Sequence, residues 1–191
     1  MNHTNRCSPK RARNVRFTPH KQTCAVQLVM TNIALNNCFN AIAMHAAASE
    51  SSIMQIPSPG YLVPSAFGNL ELRPRADTEL IGQPIDYSAG KTVAIQKISI
   101  DAMALSRVDL IKLDVQGMEL EALEGAQQTI ARCHPIFLLE SRKAGRERLR
   151  PFLDERGYRV VEAGYNLLAV NKSDPVVQQL QLPDMPAQSA A

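Results

Sequence analysis

Apolar residues recur along the chain at two spacings, and each predicts a different element. Ala25, Leu28, Val29, Asn32 and Ile33 fall at i, i+3, i+4, i+7 and i+8, one face of a helix. Thr18-Pro19 is a good start for it, with Thr as N-cap and Pro at the first helical position. Asn36-Asn37 can end it, because Asn tolerates the left-handed conformation. Short apolar runs predict strands at 15–17, 41–47, 92–100, 109–115 and 136–139. Residues 101–105 read as a helical turn. The helix after 115 buries Leu120, Leu123, Ala126 and Ile130. Gly125 interrupts it, at about 1 kcal/mol against Ala in mid-helix, and is a candidate cap of a short first helix. Residues 143–156 read as a helix with Leu149, Phe152 and Leu153 inward and Pro151 as a candidate first turn. Gly157 stops it, and 158–161 with 167–170 form a closing hairpin. A nearly all-apolar strand between helical segments, as at 136–139, suits a parallel sheet covered on both faces, so the pattern predicts an α/β fold.

Two regions lack periodicity. In 57–90, Pro57, Pro59, Pro64, Pro74 and Pro84 alternate with Gly60, Gly68, Gly82 and Gly90. Long irregular loops of this kind serve as lids or substrate walls, or are plain surface excursions. Residues 1–14 and the Pro-, Gln- and Ala-rich stretch from 171 to 191 read as flexible ends, leaving one domain over 15–170.

Composition narrows the function classes. The hydrophobic content of 45% is enough for a core, and with 5% aromatics and no Trp that core must be aliphatic. Arg6, Lys10, Arg11, Arg13, Arg16 and Lys21 all precede the first acid, Glu50. This basic head reads as a solvated terminus or as a nucleic-acid arm. The net charge of +3 and the scarcity of aromatics argue against nucleic acid. No apolar run suits a signal peptide or a membrane span. Cys7, Cys24, Cys38 and Cys133 form no CxxC pair, and His3, His20, His45 and His134 form no metal spacing. We expect free thiols in a reducing cytoplasm.

Chemistry concentrates between 108 and 140. Two strands end in carboxylates, Asp114 and Glu140, and open α/β sheets bind ligands beyond the carboxyl ends of their strands. Neighbouring parallel strands would bring both acids to one rim, where they could bind a cation, orient a hydroxyl or act as general base. Alternatively, each acid caps a helix start. Lys112 can pair with either. Gln116 offers a donor and an acceptor without charge, and Gly117 permits a tight turn or a close ligand approach. Glu119 and Glu121 stand where acids favour a helix start, which gives them structural roles.

The run from Asp109 to Ala126, with Asp114-Val115-Gln116-Gly117 at its centre, resembles the signature of FkbM-type methyltransferases. Other segments agree in order. Phe17-Thr18-Pro19 resembles the family's Phe-Glu-Pro, and 28–40 its Asn-rich helix. Ala46-Ala47-Ala48-Ser49 resembles a small-residue stretch ending in Ser, and 61–70 the loop carrying Phe67-Gly68. Residues 135–140 resemble the strand ending in Glu. The resemblance covers about 15–165. It implies a Rossmann-like class I methyltransferase sheet, S-adenosylmethionine as cofactor, and a small-molecule or glycan hydroxyl as acceptor. Asp114 and Glu140 become catalytic candidates. Thr18, Ser49, Asp114, Gln116 and Gly117 become cofactor-binding candidates, with Ser49 near the adenine.

The departures define further expectations. The family opens with a strand and an Asp-x-Gly-x-x-x-Gly loop, which this sequence lacks, so the sheet is expected without its first strand and helix. Thr18 replaces the acid expected to hold the ribose hydroxyls, and a hydroxyl cannot supply a carboxylate's bidentate acceptor. Gln116 stands where Glu is common. A truncated gene or misplaced start is the expected cause, and impaired cofactor binding the expected result. The strands flanking the gap would pair directly, or recruit another chain to an exposed edge. A non-catalytic partner subunit is the alternative reading.

Overall fold

A computed structural model of the chain describes residues 14–16, 23–38, 40–49 and 52–179. They cluster into two compact units. The first runs to Ala104 and includes Glu121–Ala126; the second comprises Leu105–Leu120 and the chain from Gln127 onward.

The first unit opens with β1 (Asn14–Arg16), parallel to β2 (Ala41–Ala43). Between them lies α1 (Thr23–Leu35). The expected start at Thr18-Pro19 lies outside the described residues. The expected stop is present: Asn37 adopts φ 53°, its N–H donates to Ala34 O at 3.1 Å, and the Cys38 N–H donates to Ile33 O at 2.9 Å. These are the two bonds of a Schellman end. The expected apolar face differs. Leu28 is 66% exposed and Asn32 is exposed, Val29 and Ile33 are half-buried, and Val26 is buried, while the Ala25 side chain lies outside those described. The periodicity chose the element, but burial needs a covering layer that periodicity cannot supply.

The expected strand at 41–47 is two strands. After β2, Met44-His45 break the run, and β3 (Ala46–Ala48) joins another sheet. Alanine fits either face, and all three residues of β3 are buried, so no alternation marked the division. Strand β4 (Ser52–Pro57), not foreseen, pairs antiparallel with β5 (Thr92–Ile98), and β3 lies parallel on β5's other side. Between β4 and β5 the chain is irregular but for a 3-10 turn at Phe67–Asn69. It is nevertheless internally tied. The Gln83 side chain accepts from Gly60 N–H and donates to Gly60 O and to Ser65 Oγ, while Leu70, Leu72 and Ile81 are buried. The expected helical turn after β5 is a 3-10 turn at Asp101–Met103.

In the second unit, β6 (Leu110–Leu113) and β7 (Ile136–Glu140) are parallel neighbours, as expected. Strand β9 (Asn166–Asn171) pairs antiparallel with β7, and β8 (Tyr158–Ala163) with β9, giving the order β6-β7-β9-β8. The predicted hairpin is thus present. Its two-residue turn, Gly164-Tyr165, uses Gly164 at φ 62°, a conformation such turns demand. Phe137, Leu139, Leu167 and Ala169 are fully buried. The Phe137 and Tyr158 rings meet at 5.4 Å and 60°. Helix α4 (Arg146–Asp154) contributes buried Leu149 and Leu153 and packs on β8. It is shorter than expected, and Pro151 sits inside it rather than in its first turn. Phe152 is half-buried under the Arg156 guanidinium, 3.6 Å from its centroid.

The helical stretch after β6 divides into α2 (Glu119–Glu124) and α3 (Gln127–Cys133), broken where Gly125 predicted. Leu123, Ala126 and Ile130 are buried as expected, while Leu120 is half-buried. Gly125 also has a second role. A Cβ there would lie 3.2 Å from Ser99 Cβ and 3.4 Å from the Ser49 backbone, and the Gly125 carbonyl accepts the Asp101 N–H at 3.0 Å. The strands expected to close the sheet directly do not do so among the described residues. Strand β1 pairs with β2, and β6 pairs with β7.

Candidate functional site

Alternation along β6 turns Ile111 and Leu113 inward and Leu110, Lys112 and the following Asp114 outward. The parallel register pairs Leu113 with Leu139. Asp114 and Glu140 therefore each lie one residue beyond a registered pair, at the same end of two adjacent strands. The two acids differ in surroundings. The Asp114 side chain is 43% exposed; its Oδ2 pairs with Lys112 Nζ at 3.2 Å, and its Oδ1 accepts from Gln116 Nε2 at 2.9 Å. Gln116 Oε1 in turn accepts from Nζ of the buried Lys143 at 2.7 Å. Lys112, Asp114, Gln116 and Lys143 thus form one hydrogen-bonded row. The Glu140 side chain is only 16% exposed. Its Oε1 accepts the Arg142 N–H at 3.0 Å, and its buried Oε2 has no hydrogen-bond partner. Neither acid caps α4, whose N-cap is Gly145 with no side-chain bond.

Between Asp114 and α2 the chain makes a tight turn. Gln116 has φ 56° and Gly117 φ 93°. Glycine adopts this region freely, whereas a residue with a Cβ costs about 1–2 kcal/mol there. The turn is held by Glu119, which is fully buried. Its Oε1 accepts the Val115 N–H at 2.9 Å and its Oε2 the Gly117 N–H at 3.0 Å. Burial pushes the Glu119 carboxyl up to about 7; the backbone donors oppose that rise, and the Glu140 charge adds to it. Sequence reasoning placed Glu119 among helix-start acids and missed this reach-back. The signal was its spacing: an acid at the first helical position, two residues after a turn glycine, can return to the turn's own N–H groups much as a capping box does.

Of the other sequence candidates, Thr18 lies outside the described residues. Ser49 is buried in the first unit, and its N–H donates to Ile98 O at 3.1 Å. Asp114, Gln116, Gly117 and Glu140 lie in the second unit. Among the described residues no group of three or more His, Cys, Asp or Glu could hold a metal ion. No described helix is long and apolar enough to cross a membrane.

A model of the methyltransferase FkbM domain matches residues 2–160, and the chain belongs to that family. Among solved structures, the chain is similar to a methyltransferase FkbM from Methylobacillus flagellatus KT, at 15% identity and a TM-score of 0.49. The match covers 78% of this chain and 34% of that one, so the chain spans about a third of that protein's length. No curated protein matches the chain.

Two of the cofactor-binding candidates have their polar groups engaged within the chain. The Gly117 N–H, which could approach a ligand, is taken by Glu119. Both ends of the Gln116 amide are taken by Asp114 and Lys143. Asp114 remains the half-exposed carboxylate of the set.

Proposed function

We propose that this chain is a methyl-transfer domain whose rim, at the ends of β6 and β7, orients a hydroxyl acceptor on a small molecule or glycan. The observation that carries this reading is the parallel register that brings Asp114 and Glu140 to one rim, with Asp114 open to solvent and Glu140 mostly covered. Asp114 accepts the hydrogen bond of the incoming hydroxyl and can take its proton. Lys112 and Gln116 hold its two oxygens in place. Most of the rate advantage would come from that positioning. Glu140 stands on the same rim, with one buried oxygen lacking a partner.

With the Gly117 and Gln116 groups engaged internally, we propose that the 191-residue chain binds S-adenosylmethionine weakly or not at all. Isothermal titration of S-adenosylmethionine into the purified chain tests this, and micromolar binding would overturn it.

A second reading, a non-catalytic partner subunit, is favoured by the edge position that β6 holds among the described residues, where Leu110 is 60% exposed. Unpaired strand edges recruit other chains. Light scattering after size exclusion tests it: a clean, folded dimer supports the subunit, and aggregate supports a fragment.

A further inference from the structure

We propose that Glu119 is a positioning residue for Asp114, acting through the Val115–Gly117 turn and the Gln116 side chain. This rests on the reading of the rim as the acceptor site. Three observations connect the groups. Gln116 is a non-glycine residue at φ 56°, so its backbone must be held by something stronger than its own preference. The Glu119 carboxylate brackets it, with one oxygen on the N–H before it and the other on the N–H after it. From that backbone the Gln116 amide reaches Asp114 Oδ1 on one side and Lys143 Nζ on the other, with its NH₂ end facing the acid. A carboxylate with no exposed surface therefore governs the partner of a carboxylate that is half exposed. Hydrogen bonds to an ionised acceptor are about twice as strong as neutral ones, so the hold depends on Glu119 carrying its charge. Glu140 is the charged group that opposes that charge, and the Val115 and Gly117 N–H groups are those that favour it.

Nitrogen-edited NMR of the full chain reads both layers. In the wild type, the Val115 and Gly117 amide protons and the Gln116 side-chain amide are expected to move together through one titration with a midpoint near 7. The substitution Glu119→Gln keeps the shape but offers one acceptor where there were two. The titration should vanish, one of the two backbone amides should exchange about tenfold faster, and the separated Gln116 NH₂ resonances should collapse toward each other. If the backbone amides shift while the Gln116 side-chain resonances stay at their wild-type positions, Glu119 holds the turn alone and the inference fails. If Glu119→Gln does not fold, the wild-type titration decides: a flat Gln116 side-chain amide overturns the inference, and one that follows the backbone supports it. None of these readouts needs cofactor or acceptor. An inactive chain would count against the methyl-transfer reading and leave the role of Glu119 standing.

Discussion

Helix α1 and strand β7 are both rich in apolar residues, yet they end in opposite environments. Leu28 and Leu35 of α1 are 66% and 75% exposed, while Phe137 and Leu139 of β7 have no exposed surface. The difference is neighbours. Strand β7 is flanked by β6 and β9, and its unit also carries the buried side chains of β8 and α4. Among the described residues α1 makes its main contacts with β2, a three-residue strand. An amphipathic pattern selects an element, but most of an element's stability comes from the layer that covers it.

The largest test of that contrast removes one side chain from each region. Phe137→Ala should destabilise the chain by about 3–5 kcal/mol through the transferred area and the cavity it leaves. Leu28→Ala should cost less than about 0.5 kcal/mol. Urea denaturation measures both, and equal losses would mean that α1 is covered in solution. A second test probes the buried acid of the second unit. Its carboxyl is raised from 4.5 to about 7, so the native state keeps a proton that the unfolded chain has released. Stability should therefore fall as pH rises from 4.5 through 7, by about 3 kcal/mol in all. Glu119→Gln should flatten that slope, and urea midpoints that do not change over this range in the wild type would refute it. A third test belongs to the first unit. Gly125→Ala adds a Cβ against Ser99 and the Ser49 backbone and should cost about 1–2 kcal/mol. A rise in melting temperature would show instead that helix propensity governs the site, since Ala is favoured over Gly by about 1 kcal/mol in a helix.

Much of the second unit was legible because its signals are local. Gly157, the two short β runs and the gap between them define the hairpin. The strand ending at Asp114 and that ending at Glu140 each stand out as apolar runs closed by an acid. The first unit was less legible for equally physical reasons. Alanines at 41–48 fit any face, so the division into β2 and β3 left no trace in polarity. Strand β4 mixes Ser52, Gln55 and Pro57 with its apolar residues and is closed by a proline, which argues against a strand. The rim was readable at Asp114 and Glu140, whose positions follow from strand ends. The Lys143–Gln116 bond spans 27 residues, and nothing in either residue's neighbourhood announces it. Gly125 was read as a cap, yet its contacts with Ser49 and Ser99 depend on chain segments that only the folded unit brings together.

The place of β9 between β7 and β8 has a temporal consequence. Strand β7 acquires its first neighbour, β6, from chain already made, but its second neighbour ends at Asn171, 31 residues after Glu140. At ordinary synthesis rates that interval is on the order of seconds. During it, Phe137 and Leu139 stand on a strand with one edge open. The hairpin itself closes in microseconds once made, so the vulnerable period is set by translation and not by folding. The Ser141 N–H and hydroxyl both donate to Tyr165 O at the hairpin tip. The arriving hairpin is thus received by the residue directly after Glu140.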